Sequence, residues 1–255
     1  MDCGNITKDT KAIIPVDCHG RLADIDGIRQ KCEEAGGKPL IIEDAAHAMY
    51  TPGVGKGDIV VWSFQAVKTM PAGDGGMITT NDEAIYKKLR TMTWLGVEKS
   101  TYQRSEGKHY SWDYDITQGI GLKAYMNNIT AVICLGQLDD VAEYKAHRRS
   151  IQTVYNEAFQ HIWQIKTPQY SHTVQYYTMK CEERDKLSDF LAENNIVTSI
   201  HFKPLSEMTY WKKAIKRPLP ITDTVWRQLL SLPCHDALTW SEVDYIIKKV
   251  KEFYE

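Results

Sequence analysis

The sequence predicts an α/β protein whose first half forms a mostly parallel sheet and whose second half forms a smaller α+β domain. Short apolar runs alternate with helical patterns and turns through residues 11–92, which is typical of a covered, mainly parallel sheet. A long helical pattern follows over residues 127–161. The predicted domains therefore cover residues 1–126 and 162–255, and the helix links them.

Apolar spacing and turn residues locate the elements of the first half. Runs of apolar residues predict strands, and segments with a helical repeat predict helices. The strands cover residues 11–16, 39–42, 59–64 and 76–80, and the helices cover residues 25–35 and 82–92. Several glycines around position 75 indicate a tight turn rather than a phosphate-binding fingerprint.

The second half shows the same kinds of pattern. Residues 172–180 and 196–200 predict strands, and residues 182–194 predict a helix. A last helix is predicted from Ser241, because Thr239-Trp-Ser-Glu242 forms a capping box before an apolar stripe.

The long central helix carries apolar residues on one side and charged residues on the other. We expect Arg148 and Arg149 to lie on the solvated side. Four residues at helical spacing could outline a metal site, but a solvated helix face is the stronger interpretation. They are Asp139, Asp140, Glu143 and His147.

Composition excludes several classes of function. A formal net charge of -2 from 31 basic and 33 acidic residues gives no field that would hold nucleic acid. No apolar run reaches the roughly 20 residues that span a bilayer, and the first residues lack the pattern of a signal peptide. We therefore expect a cytoplasmic protein without a membrane partner. The six cysteines form no C-x-x-C pair, which predicts reduced and mostly buried thiols.

Asp44 and Lys68 each follow a predicted buried strand, where ligand-binding groups collect in open α/β sheets. An acid there can hold a protonated ring nitrogen, and a lysine in apolar surroundings can lose its proton and attack a carbonyl. A pyridoxal site requires these two roles. The alternatives are a helix N-cap for Asp44 and an exposed turn lysine for Lys68. The two residues alone do not decide between these readings.

Linked motifs around these two residues carry a family resemblance. They read Ile-Ile-Glu-Asp44-Ala-Ala-His47-Ala, Gly57-Asp58, Ser63-Phe-Gln-Ala-Val-Lys68 and Gly73-Asp-Gly-Gly76-Met-Ile-Thr-Thr80. Further matching segments lie at residues 126–138, 201–205 and 230–235. In order and spacing, these segments resemble the DegT/StrS family of sugar aminotransferases over essentially all 255 residues.

The resemblance implies a pyridoxal-phosphate-dependent transferase of fold type I, the fold of aspartate aminotransferase. By that resemblance Lys68 bonds covalently to the cofactor aldehyde and later moves protons as a general acid and base. Asp44 pairs with the pyridinium nitrogen. His47 contacts the ring or its 3-oxygen, and the Ser63 hydroxyl binds the phosphate. The alternatives are a core histidine for His47 and a hydroxyl bonded to backbone for Ser63.

Two further residues match the family more loosely. Lys123 falls in a segment that reaches across the family's dimer to the neighbour's cofactor phosphate, although Leu122 and Ala124 replace the usual aromatics. A plain surface lysine is the alternative. His201 falls in a segment that borders the sugar-nucleotide site, and a structural turn histidine is equally compatible with it.

The implied activity is transfer of an amino group from L-glutamate to a nucleotide-linked keto-sugar, giving an amino sugar for a surface polysaccharide such as O-antigen. Family members carry roughly a hundred residues before the matched part, so the large domain is expected to be partial. We expect a separate polypeptide to supply that part, in a heterotetramer with a second copy of this chain. The alternative is a non-catalytic subunit that stabilises or regulates an aminotransferase. A dehydratase is disfavoured, because such relatives carry histidine where this chain has Lys68.

Overall fold

The computed structural model describes residues 6–106, 112, 114–168, 175–214 and 218–255. The chain divides into two compact units. Unit 1 comprises Met1–Cys18 and Leu22–Asp139, and unit 2 comprises His19–Arg21 and Asp140–Glu255. The boundary between them lies within the long helix. The predicted domain limits at residues 126 and 161 stay a prediction.

Secondary structure follows the apolar patterns closely through most of the chain. The strands are β1 Ala12–Ile13, β2 Leu40–Asp44, β3 Ile59–Ser63, β4 Gly76–Thr79, β5 Ile165–Lys166, β6 Tyr177–Cys181 and β7 Leu229–Leu232. The helices are α1 Ile25–Glu34, α2 Glu83–Met92, α3 Thr101–Ser105, α4 Asn128–Phe159, α5 Arg184–Glu193, α6 Pro220–Val225 and α7 Trp240–Tyr254. The first residues of the predicted strand 172–180 lie outside the described residues.

Unit 1 is built on a four-stranded sheet in the order β1-β2-β3-β4. β1 pairs with β2 and β2 pairs with β3 in parallel, while β4 returns antiparallel to β3. The register places Asp44 beside Val61 and Ser63 beside Gly76. Parallel strands end at the same edge, so the connections that follow β2 and β3 begin close together.

Helix α1 covers one face of this sheet. Its buried Ile25, Ile28 and Cys32 pack with Ile41 of β2 in one apolar cluster. Asp24 begins the helix, because its carboxylate accepts a hydrogen bond from the Gly27 N–H. The apolar residues that recur at helical spacing in the sequence are therefore the ones with which α1 packs on the sheet.

The three-stranded sheet of unit 2 has the order β5-β6-β7, and both pairings are antiparallel. α5 and α7 pack on it through a continuous core that includes Leu187, Leu191, Val243 and Ile246. The predicted capping box at the start of α7 is confirmed. Thr239 and Glu242 exchange hydrogen bonds between side chain and backbone N–H in both directions.

Two expectations for unit 2 are wrong. Residues 196–200 do not form a strand, because the Ile196 N–H closes the end of α5 on the Leu191 carbonyl, and only Ser199 bridges to β7. Arg148 does not face solvent: it is 4% exposed and its guanidinium pairs with Asp236 at 2.9 Å. The helical pattern predicted an exposed Arg148, but Asp236, which is distant in the sequence, pairs with the guanidinium and allows it to be buried.

Cysteine burial agrees with the sequence for most thiols. Cys32, Cys134, Cys181 and Cys234 are buried, whereas Cys18 is exposed, and Cys3 lies outside the described residues. None of the helices in the described part of the chain combines the length and apolar character that crossing a bilayer requires.

The ion pair between buried Arg148 and the partly exposed Asp236 gives a test of the unit 2 core. Among the described residues, Asp236→Ala leaves the buried guanidinium with the Gln175 carbonyl as its hydrogen-bond acceptor, so the free energy of unfolding should fall by about 2–4 kcal/mol. Glu252→Ala removes the acid of the more exposed Lys249–Glu252 pair and should cost less than about 0.5 kcal/mol. Urea denaturation measures both. Equal losses would contradict a buried role for Arg148.

Candidate functional site

Asp44 is held at the carboxyl end of β2 by its own backbone. Its N–H donates to the Pro15 carbonyl at 2.8 Å, and its carbonyl accepts from the Asp17 N–H at 3.0 Å. One carboxylate oxygen, Oδ1, accepts from the Ala46 N–H at 3.0 Å. That bond closes a turn and not a helix, so the helix N-cap reading of Asp44 is wrong. The half-buried carboxylate is thereby fixed at the edge of the sheet.

Lys68 lies in the connection between β3 and β4, and backbone bonds across that connection fix its course. The Phe64 N–H donates to the Gly75 carbonyl at 2.9 Å, and the Ala66 N–H donates to the Gly73 carbonyl at 3.0 Å. Gly75 has a φ of +114°, which other residues adopt only with strain. The turn predicted at these glycines is present, and it carries a half-buried lysine.

The charge of Asp44 reaches the Lys68 amine. Burial lowers the pKa of Lys68 below its ordinary value, and the negative charge of Asp44 acts in the opposite direction without cancelling the shift. The structure therefore brings these two predicted residues within electrostatic reach of each other. A lysine with a lowered pKa spends more time as the neutral amine, which is the nucleophilic form. The exposed turn-lysine reading does not fit this half-buried position.

His47 and Ser63 lie on the same two connections. His47 is half-buried, three residues after Asp44 in the turn that follows β2. Ser63 ends β3, and its hydroxyl oxygen accepts from the Gln65 N–H at 3.4 Å, a long bond. Four predicted site residues thus follow neighbouring parallel strands in unit 1. Their individual roles stay predictions.

Lys123 belongs to unit 1 and is exposed. Its backbone bridges to Trp94, and its ammonium nitrogen lies 5.9 Å from the centre of the Trp94 ring. The Trp94 ring also stacks on Tyr125, with 4.9 Å between the ring centroids. The Arg90 guanidinium lies 4.7 Å from the centre of the Tyr125 ring. The described residues thus give Lys123 an aromatic platform and leave its amine accessible.

His201 belongs to unit 2. Its Nδ1 lies 2.8 Å from the Ser231 hydroxyl oxygen, and its ring stacks on Tyr176 with 3.7 Å between centroids. His19 approaches both rings edge-on. Burial, followed by the charge of His201, lowers the pKa of His19 to about 4, so this neighbour stays neutral at physiological pH. His201 is therefore fixed by packing, and its substrate role stays a prediction.

Sequence reasoning missed two acids beside Asp44. Asp17 is completely buried, and Glu43, the residue before Asp44, is 1% exposed. Both Glu43 oxygens accept backbone N–H bonds, from Gly55 at 2.9 Å and from Gly57 at 2.7 Å. The alternation of buried positions along β2 could have located Glu43, since it faces the same side as Ile41. Asp17 lies shortly after β1, whereas Asp44 is the last residue of β2.

Comparison with protein families gives one match that covers almost the whole chain. The model described as the DegT/DnrJ/EryC1/StrS aminotransferase family matches residues 4–251. A spore coat polysaccharide biosynthesis protein of Bacillus subtilis, SpsC, is 30% identical over 266 residues, covering 97% of this chain and 67% of that protein.

Solved structures agree with the family match. An aminotransferase from Brucella abortus is 29% identical with a TM-score of 0.81, over 96% of this chain and 64% of that one. Spr1654 of Streptococcus pneumoniae, solved in a PLP form, is 28% identical with a TM-score of 0.83, over 97% of this chain and 69% of that one. The chain thus spans about two thirds of the length of the relatives it matches, and the predicted type I fold is confirmed.

The opposing influences on Lys68 predict how its reactivity changes with pH. Asp44→Asn removes the charge that raises the pKa of Lys68 and leaves burial, which lowers it. The amine should therefore react with an acylating reagent at lower pH in the variant. Peptide mass spectrometry across a pH series measures this, with exposed Lys88 as the internal reference. A shift to higher pH, or an equal shift at Lys88, would contradict the proximity of the two groups.

Proposed function

We propose that this chain, which belongs to the DegT/DnrJ/EryC1/StrS aminotransferase family, is the catalytic part of an enzyme that moves an amino group from L-glutamate to a nucleotide-linked keto-sugar. The proposal rests on the half-buried Lys68. Burial lowers the pKa of its amine, and the nearby charge of Asp44 opposes that lowering. Amino-group transfer requires a nucleophilic lysine beside a carboxylate. A regulatory subunit has no use for that pair.

Pyridoxal phosphate is the cofactor of this family, as the sequence predicted. The groups at the edge of the unit 1 sheet fit it chemically: an amine for its aldehyde, a carboxylate for its ring nitrogen and a hydroxyl for its phosphate. In our proposal Lys68, Asp44 and Ser63 hold these three parts, and His47 contacts the ring. The bound cofactor supplies an electron-accepting ring that stabilises negative charge on the substrate carbon.

The residues of the chain supply the binding and the proton transfers. The fixed Oδ1 bond to Ala46 orients the Asp44 carboxylate, so its charge can keep a ring nitrogen protonated without reorganisation. Lys68, once released, is the base that takes a proton from the substrate carbon and the acid that returns it. Half burial of its amine favours the neutral form that the first of these steps requires.

The substrate proposal rests on relatives and on two predicted contacts. SpsC is named for spore coat polysaccharide biosynthesis, which supports an amino sugar destined for a surface polysaccharide. We propose that His201 contacts the nucleotide-linked sugar and that Lys123 of a second copy contacts the cofactor phosphate. The accessible amine of Lys123 on its Trp94 platform supports the second contact. A cytoplasmic location follows from the availability of nucleotide-linked sugars and remains part of the proposal.

Exposed apolar side chains support an additional stretch of polypeptide in the working enzyme. Met77 and Ile78 of β4 are 50% and 43% exposed, and Ile129 and Val132 of α4 are 77% and 67% exposed. Large apolar side chains exposed in this number are typical of a protein that has further contacts in its assembled form. We propose that a separate polypeptide and a second copy of this chain cover it. Native mass spectrometry of the isolated enzyme reports both.

Covalent capture of the cofactor tests the proposed function. After addition of pyridoxal phosphate and reduction with borohydride, the assembled enzyme should carry a phosphopyridoxyl group on the Lys68 peptide. Lys68→Ala should lose the group and slow transfer by roughly 10²–10⁴-fold, because it removes the nucleophile and the proton carrier. Lys88→Ala serves as the control.

The same variants separate the two candidate functions. If Lys68→Ala transfers amino groups as fast as Lys88→Ala, the chain is a non-catalytic subunit. Labelling of a different lysine would contradict the assignment of the site.

A further inference from the structure

Asp17 lies beneath the candidate site with no access to solvent. One oxygen of its carboxyl group, Oδ1, accepts from the Ala23 N–H at 2.8 Å. The acids that act on it are Glu43 and Asp44, both from the end of β2. Three carboxyl groups therefore crowd one edge of the sheet, and charges buried this closely cost free energy unless one of them is neutralised.

The two buried acids differ in the number of backbone N–H groups that they bind. Both oxygens of Glu43 already accept N–H bonds, so Glu43 is the acceptor. Asp17 has one such bond, from Ala23. Burial, together with the charge of Glu43 and a hydrogen bond to it, raises the pKa of Asp17 to about 7 against the opposing Ala23 bond. This shift favours the protonated form of Asp17.

Asp17 is also joined to Asp44 through the backbone. Its N–H donates to the Asp44 carbonyl, and Val16 bridges to Asp44 in parallel. These bonds extend the β1–β2 pairing to the last residue of β2. The residue that carries this carboxyl group is therefore hydrogen-bonded directly to the backbone of Asp44.

We propose that Asp17 is a positioning residue for Asp44. In this proposal the buried Asp17 carboxyl group stays protonated and donates a hydrogen bond to Glu43, and this keeps Asp44 in place. The proposal rests on the proposed function, in which Asp44 pairs with the ring nitrogen of the cofactor. It assigns Asp17 no contact with cofactor or substrate. Ionisation of Asp17 places three negative charges together, and their repulsion loosens the end of β2.

The direction of the pH effect follows from proton binding. The folded state holds the Asp17 proton up to about pH 7, whereas the unfolded chain releases it near the ordinary aspartate pKa of 3.8. The stability that this proton contributes is fully present below the unfolded-state pKa. It is lost as the pH rises to the folded-state pKa. Asp17→Asn keeps a donor toward Glu43 and an acceptor for Ala23, and it has no proton to lose.

The first experiment needs no cofactor. Urea denaturation from pH 4.5 to pH 8 should show Asp17→Asn gaining stability relative to the native chain up to about pH 7, with no further gain above it. Asp9→Asn, at an exposed position, should show no such trend. If Asp17→Asn does not fold, infrared spectroscopy of the native chain still decides: a protonated carboxyl band present at pH 5.5 must disappear by pH 8.5. A stability difference independent of pH, or no band, overturns the proposal.

The second experiment measures the affinity for pyridoxal phosphate in the native protein, Asp17→Asn and Lys68→Ala. Between pH 6 and pH 8 the native protein should lose affinity relative to Asp17→Asn by roughly fivefold to tenfold, as the Asp17 proton is lost. Titrations of the cofactor and of Lys68 occur in both proteins and cancel in the ratio.

The outcomes separate the two proposals. An unchanged ratio, with Lys68→Ala still defective, overturns only the role of Asp17. If the native protein and Lys68→Ala bind the cofactor equally poorly, the proposed function fails, and the role of Asp17 fails with it.

Discussion

The parallel pairing of β2 with β3 is the constraint on which the candidate site depends. Because the two strands run in the same direction with Asp44 beside Val61, the turn after β2 and the turn after β3 leave the sheet at one edge. The first turn carries a carboxylate and the second a half-buried amine. A one-residue slip of this register would turn the side chains of β2 to the other face of the sheet and separate the pair.

Electrostatics at this edge balances several buried charges. Lys68 has a lowered pKa although a carboxylate is near it, so burial outweighs attraction at the amine. Asp17 has a raised pKa because burial and Glu43 act in the same direction. A raised pKa at a buried acid and a lowered pKa at a half-buried amine both favour the neutral form, which reduces the charge that the fold must bury.

Local patterns were sufficient for much of the fold. The capping box at Thr239 and the apolar stripe behind it predicted α7, and apolar runs predicted β2 and β3 to within about two residues. The carboxyl ends of those strands indicated Asp44 and Lys68 as candidate site residues. The linked motifs around them predicted their chemical roles. These features depend on residues that are near one another in the chain.

Features that depend on distant residues were not predictable in this way. Arg148 is buried because Asp236 meets it from a loop 88 residues away. The strand expected at residues 196–200 is reduced to a bridge because Ile196 instead closes α5. The pKa of Asp17 is raised because the fold buries the side chain and brings Glu43 of β2 close to it. Lys123 belongs to unit 1 and His201 to unit 2, and the roles predicted for them stay predictions.

In the proposed site, Lys68 and Asp44 bind the same molecule of pyridoxal phosphate. A crystal structure of the enzyme soaked with pyridoxal phosphate tests it most directly. The account predicts continuous density from Lys68 Nζ to the cofactor and a hydrogen bond between the ring nitrogen and an Asp44 oxygen. Density joined to another lysine, or a ring nitrogen facing a group other than Asp44, would contradict it.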